Sequence, residues 1–453
     1  MGEAGESPLS RDRSLTRREL LAMAGEAGLA CCVLGVKAQS LSRGAPKSSP
    51  PSKPAPVLDD QFLERVERAA FLFFWEQAGR ATGQVKDRAL ARGHDSRTVS
   101  SIAATGFGLT ALCIGDQRGY QESAQIKARV LATLNFLVKQ TNVHGFFYHF
   151  VDMNTGQRVW NCEISSIDTA ILLCGVLACR QYFQDAQIQS LSTQIYQRVN
   201  WAWMLNGGKT LSMGWTPEGG FIASRWDTYC ELMMIYLLAV GSTTHPIPAS
   251  SWTHFARPTL TYQGYTYITN LHAPLFIHQY SHAWFDFRHK RDAYTNYFNN
   301  SVTATKAHKA FCLSLTPKFP DYSNNLWGIT ASDSAQGYTA WGGPPAMGDI
   351  DGTIVPCAAG GSLAFVPQDC IAVLRNIFQR FPKSWQRYGF VDAFDPLTEW
   401  YDPDVIGIDQ GITMLMAENQ RSGLVWNTFM KNPEAQAAMA AVGFHETGGH
   451  MGD

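Results

Sequence analysis

From residue 59 onward, apolar residues recur at helical spacing in about a dozen runs, and the segments between those runs are crowded with aromatic rings. The first run, Asp59 to Gly79, opens with two acids, carries Phe62, Val66, Ala69-Ala70 and Phe73 on one face, and stops at glycine. That is an amphipathic helix with a start and a stop. The same reading predicts helices over 100–116, 121–140, 166–183, 188–204, 228–240, 272–287, 291–313, 367–381, 410–420, 424–430 and 433–442. Few runs alternate with period two, and most of those fall in the connections. The chain is therefore expected to be all-α, with one domain over 58–453 built of helical hairpins. Closure of the hairpins into a ring would gather the aromatic loops around one cavity. These loops hold 146–150, Trp215, Phe221, Trp226, Trp327, Tyr338, Trp341, Trp400 and Tyr401. A long α-solenoid is the alternative, but no repeat of fixed length is present.

Charge narrows the classes of partner. Thirty-seven basic residues face 38 acidic ones, a net charge of −1, without the basic surplus of a nucleic-acid binder. The 13 Trp and 16 Tyr exceed what a core alone asks for and suit stacking on the flat apolar faces of sugar rings. The amino terminus reads as an address. Thr16-Arg17-Arg18-Glu19-Leu20-Leu21 resembles a twin-arginine export signal, a short apolar stretch follows, and Val36-Lys37-Ala38 is a cleavage site with a small residue at its end. This predicts a signal peptide over 1–38, a Ser/Pro/Lys/Ala-rich tether over 39–57, and a periplasmic or secreted protein. Cys31 follows a poor match to a lipoprotein box. No segment is apolar enough to be expected to span a membrane. The eight cysteines beyond the signal show no Cys-x-x-Cys, so buried thiols are expected, a disulfide or two stays open, and no metal or cofactor is.

Several kinds of chemistry fail on pattern. Gly360-Gly361-Ser362-Leu363-Ala364 lacks the last glycine of a nucleophile elbow, and Gly106-Phe107-Gly108 sits inside a helical run with no strand before it. His278 and His282, one turn apart, lack an obvious third metal ligand and read as a polar pair beside a pocket mouth. Acids at helix starts remain. Trp160-Asn161-Cys162-Glu163 leads to Asp168, Trp226-Asp227-Thr228-Tyr229-Cys230 leads to Glu231, and Gly407-Ile408 leads to Asp409. Capping accounts for each taken singly: Ser165-x-x-Asp168 and Thr228-x-x-Glu231 fit capping boxes, and Asp227 and Asp409 could be N-caps. Jointly, three acid-bearing helix starts, two with an adjoining Trp, fit glycosidic hydrolysis. That reaction needs one protonated and one ionised carboxyl. Leu232-Met233-Met234-Ile235 beside Glu231 would disfavour its charged form, as a general acid requires.

Ordered blocks from residue 160 to the end carry a resemblance. They are 163–170; Trp226-x-x-Tyr229-x-Glu231-x-Met233-x-x-Tyr236-x-Leu238-Ala239-x-Gly241-Ser242 with His245-Pro246; Asn325-x-Trp327-Gly328-x-Thr330-Ala331-x-Asp333; Asp351-Gly352-Thr353 through Ser362; 407–411; and Phe429-Met430-x-Asn432-Pro433. Together they resemble a bacterial glucoamylase-like glycoside hydrolase family that includes the β-1,2-glucanases. The resemblance implies an (α/α)6 toroid with a central cleft, and inverting hydrolysis of β-linked, above all β-1,2, glucan without a cofactor. Glu163, Glu231 and Asp409 match its acidic cleft positions. On the desolvation argument Glu231 is the proton donor and Glu163 handles the water, directly or through a hydroxyl, with Asp168 and Asp409 in support. Sugar contacts are expected from Trp215, Trp226, Tyr229, Trp284, Trp327, Trp341 and Trp400, and from Arg225, His282, Asp286 and Arg421. Cys230 stands where the family carries Ser. A transglycosylase, a lyase on acidic polysaccharide and a non-catalytic glucan binder are the competing classes.

Overall fold

A computed structural model of the chain describes residues 57–270 and 274–447. The signal expected over 1–38 and the tether over 39–57 lie outside the described residues, save Val57, which begins the first helix.

The described residues form a helical fold with short hairpins between the helices. The α-helices are α1 (Val57–Glu76), α2 (Ile102–Arg118), α3 (Ser123–Lys139), α4 (Ser166–Tyr182), α5 (Ala186–Gln197), α6 (Trp201–Met204), α7 (Met233–Val240), α8 (Tyr297–Ser314), α9 (Pro356–Gly360), α10 (Pro367–Arg380), α11 (Gly407–Arg421), α12 (Leu424–Phe429) and α13 (Pro433–Ala441). Local chemistry explains their bounds. The hydroxyl of Ser101 accepts from Ala104 N–H to start α2, and Gly119 at φ 67° ends it. Arg198 and Val199 break the run expected over 188–204, and Asn200 restarts it by accepting from Trp203 N–H.

Two helix expectations need correcting. The segment expected as an α-helix over 272–287 forms two 3-10 turns, Leu275–His278 and Tyr280–Ala283, after Pro274. Pro274 removes a backbone donor, and the large buried rings of Phe276, Tyr280 and Trp284 dictate the path. Helix α7 starts at Met233 with Leu232 at its N-cap, so neither Asp227 nor Thr228 caps it. Short helix α9 is the one the periodicity missed.

α2 and α4 form the centre, buried around nearly their whole circumference. They approach closely because Gly106 and Gly175 face each other. A Cβ at Gly106 would lie 2.4 Å from the carbonyl of Ile171, and one at Gly175 would lie 2.1 Å from that of Gly106. α1 and α11 pack on α2, and α7 packs on α4. A helix near the end of the chain thus touches the first two, which a linear stack of repeats does not allow. The starts of α4, α7 and α11 carry the acids singled out from the sequence. All eight cysteines among the described residues are buried thiols, and Cys113 and Cys179 stay unbonded with sulfurs 3.7 Å apart. No described helix is long and apolar enough to cross a membrane.

Candidate active site

The start of α4 is built as a trap for a cation. Ser165 caps the helix, accepting from Asp168 N–H at 3.3 Å, so the capping box read from the sequence is present in its first half. The Asp168 carboxylate then accepts from the Ser165 hydroxyl at 2.5 Å. Glu163 immediately precedes the strand Ile164–Ser165 that leads in, and its carbonyl accepts from His149 N–H at 2.9 Å. That register sets the His149 ring between two acids. Its Nδ1 is 3.3 Å from Glu163 Oε1 and its Nε2 is 3.5 Å from Asp168 Oδ1. Burial pulls the imidazole pKa down, but Asp168 and Glu163 outweigh it and raise the pKa to about 9. At neutral pH the protonated imidazole is therefore favoured between the two acids.

The start of α7 adjoins it. Trp226 donates its indole N–H to the hydroxyl of Ser166, the first residue of α4, at 2.8 Å, and Tyr236 of α7 donates to Trp226 O at 2.6 Å. Glu231 precedes α7, only 5% exposed, and the following residues Leu232, Met233, Met234 and Ile235 are all fully buried. The apolar run expected after Glu231 is thus part of the core. Ser281 fixes the turn by donating to Glu231 O at 2.7 Å and accepting from Met234 N–H at 3.0 Å. Its neighbour Tyr280 reaches Asp409 Oδ1 at 3.5 Å. Two adjacent residues thus bind the Glu231 turn to the start of α11. There Asp409 occupies the first turn, with Ile406 at the N-cap, so its reading as an N-cap does not hold.

A second group of acids continues from Asp409. Asp333, Asp392 and Asp402 each place a carboxylate oxygen within 4.8 Å of the others. Asp392 also receives the backbone N–H of Asp333 at 2.8 Å, and Arg88 bridges Asp87 and Asp333 at 3.0 and 2.6 Å. Burial, then Asp409, Asp333 and Asp402, drives the Asp392 pKa far upward. Burial and Asp333 raise that of Asp402 to about 8. Asp392, Asp409, Gln410 and Thr413 line a small cavity roofed by Pro356, Cys357 and Phe390. His149, Arg88, Asp392 and Asp402 were missed from the sequence. His149, Asp392 and Asp402 lie in or beside the aromatic loops, and Arg88 carries no such mark.

Most of the expected sugar contacts are structural instead. Trp226, Tyr229, Trp284, Trp327 and Trp341 are all at most 2% exposed. Trp284 donates to Thr110, Trp341 to Ser332, and Tyr229 lies 3.2 Å from His278 Nδ1. A side chain closed in by protein on every side has no face left for a sugar. His278 and His282 are buried too, His282 beside Ser301, and burial holds both pKa values near 3. They are neutral core residues and not a polar pair at a pocket mouth. Arg225 is spent on Leu205 O at 2.6 Å and on Thr210. Asp286 is paired with Arg288, and Arg421 lies at the far end of α11 on Asp60, Glu64 and Glu67. Trp215 and Trp400 remain. Both are partly exposed on hairpins. Trp215 pairs with Ile164, next to Glu163, and Trp400 pairs with Asp395, two residues ahead of Asp402.

The glycoamylase family model, which describes glucoamylase-type proteins, matches residues 223–433. A solved glucoamylase-type structure from Bacteroides caccae is 30% identical, covers 86% of this chain and 100% of its own, and superposes with a TM-score of 0.79. This chain belongs to the bacterial glucoamylase-like glycoside hydrolase family. Within the family, an endo-β-1,2-glucanase from Chitinophaga pinensis, solved with sophorotriose and glucose, is 28% identical over 86% of this chain and 99% of its own, with a TM-score of 0.79. An exo β-1,2-glucooligosaccharide sophorohydrolase from Parabacteroides distasonis is 28% identical over 85% of this chain. The chain spans 58% of that curated relative's length.

Proposed function

We propose that this protein hydrolyses β-linked glucan, most specifically β-1,2-glucan, with inversion, in the cleft of an (α/α)6 ring. The ring is supported by the contacts of α11 with α1 and α2 and by the acid-bearing helix starts that hydrogen bonds tie together. The substrate class is supported by relatives whose names specify β-1,2-glucan and its oligosaccharides.

The arrangement of three groups carries the reading: Glu231 in an apolar turn, and Glu163 and Asp168 on either side of a charged His149. Glu231 sits where its neutral form is favoured and donates the proton to the departing glycosidic oxygen. The His149 imidazolium opposes protonation of Glu163, which keeps that carboxylate able to draw a proton from water, directly or through a hydroxyl. Asp168 fixes the His149 ring from its other nitrogen, and Asp409 orders the opposite wall through Tyr280. Trp215 and Trp400 offer flat faces to the sugar. Export by the twin-arginine route, to the periplasm or beyond, belongs to the same proposal and rests on Thr16–Leu21.

Incubation with β-1,2, β-1,3, β-1,4 and α-1,4 glucans, followed by product sizing and anomer determination, tests it. The expected result is release of α-anomeric products from the β-1,2 polymer. Glu231→Gln is expected to lower turnover by roughly 10²–10⁴-fold while still binding oligosaccharide. An unsaturated product absorbing in the ultraviolet, or full activity in that variant, would overturn the assignment.

A further inference from the structure

One aromatic side chain is held out of the protein at some cost. Trp160 is 63% exposed, the most open of the large apolar residues described. Its φ is 55° and that of Asn161 is 51°, two consecutive residues in the left-handed region, which disfavours a bulky side chain. Arg158 holds them there. It donates to Cys162 O at 2.5 Å and to Asn161 O at 2.6 Å, and it closes bidentately on Glu218 at 2.6 and 3.0 Å.

That clamp points toward the acid site. Glu218 sits in the hairpin of Gly214–Thr216 and Gly220–Phe221, whose first strand pairs with Ile164–Ser165. The Trp160 ring meets Phe150 edge-on with centroids 5.1 Å apart, and Phe150 stacks at 3.9 Å on His149, the residue between Glu163 and Asp168. Trp160 is therefore continuous with the reacting carboxyls through two rings, and Trp215 flanks Glu163 on the other strand. Burial would be the default fate of such a ring. Here the backbone is bent and pinned to keep it out.

We infer that Trp160 is a rim platform on which a glucosyl unit of the substrate, outside the bond being cut, stacks its apolar face. This rests on the glucan-hydrolase reading above and adds a binding position to it. The first test is the KM for polymeric β-1,2-glucan in wild type, Trp160→Ala and Trp160→Phe. The expected outcome is a KM raised about tenfold in Trp160→Ala, with most of that loss recovered by Trp160→Phe. Glucan should also quench the intrinsic fluorescence of wild type, and this quenching should diminish in Trp160→Phe. The ring is exposed, so the melting temperature should hold. A KM within twofold of wild type in Trp160→Ala, or equal damage in both variants, would overturn the platform while leaving the hydrolase reading intact. A wild-type protein that neither binds nor cleaves any glucan would overturn both.

Discussion

The two ends of α11 are charged in opposite ways. At its carboxyl end every acid reaches an arginine. Asp60, Glu64 and Glu67 of α1 all contact Arg421, and Glu418 takes a bidentate grip from Arg118 at 2.8 Å. At its amino end Asp409 meets a tyrosine hydroxyl, and the charged groups around it are mostly other acids. Burial alone does not separate the two ends. Glu67 and Glu418 are wholly buried, more so than Glu163 at 8% or Glu231 at 5%. What separates them is the supply of cations. Where arginines satisfy the acids, the ensemble ties helices together. Where a histidine, hydroxyls and Arg88 must serve a larger group of acids, protons can move.

The largest effect expected from this contrast is on stability at the arginine end. Glu418→Ala removes the bidentate partner of the partly exposed Arg118 and should cost ~1–3 kcal/mol in denaturant unfolding, while folded protein keeps its turnover. A variant as stable as wild type would erase the distinction between the ends.

At the other end the loss should fall on rate. His149→Asn should lower kcat by roughly tenfold or more, and near neutral pH it should also lose the stability that the protonated ring contributes. The folded His149 pKa lies above its ordinary value near 6.5, at about 9, so its protonated form stabilises the fold fully below about 6.5. That contribution fades as pH rises through about 9. Wild type should lose stability across this window and the variant should not. Matching alkaline profiles would remove His149 from the account.

The smallest change is expected from Asp402→Asn. The folded pKa of Asp402 is raised to about 8, so its proton stabilises the fold at low pH and that gain is lost as pH climbs toward 8. The neutral amide should make the variant more stable relative to wild type near pH 9 than near pH 4. An unchanged pH slope would mean that Asp402 does not hold the proton.

The helices and the candidate acids were legible for one reason: both leave local marks. Spacing of 3.6 gave most of the helices to within a few residues, and Glu163, Asp168, Glu231 and Asp409 stood out as acids at three helix starts, two of them with an adjoining Trp. His149 did not, because within Phe146–Phe150 it reads as one more flat ring. Its role depends on strand register across residues 148–164. Asp392 and Asp402 depend on loops that meet only in the folded chain. The Trp assignments failed more broadly, since a Trp suits a core and a cleft wall equally and sequence does not say which side it faces. Arg421 was avoidable. At 1.5 Å per residue it lies about 18 Å down the helix axis from Asp409.

The facing glycines of α2 and α4 bear on how this protein could be made more heat-tolerant. Exchanging helical glycine for alanine is a standard stabilising edit, because it removes freedom from the unfolded chain. At residues 106 and 175 the added methyl would strike backbone on the opposite helix. It would wedge the pair apart at its core, and the histidine strand and the cap of α4 ride on that pair. These two sites are the ones to leave alone.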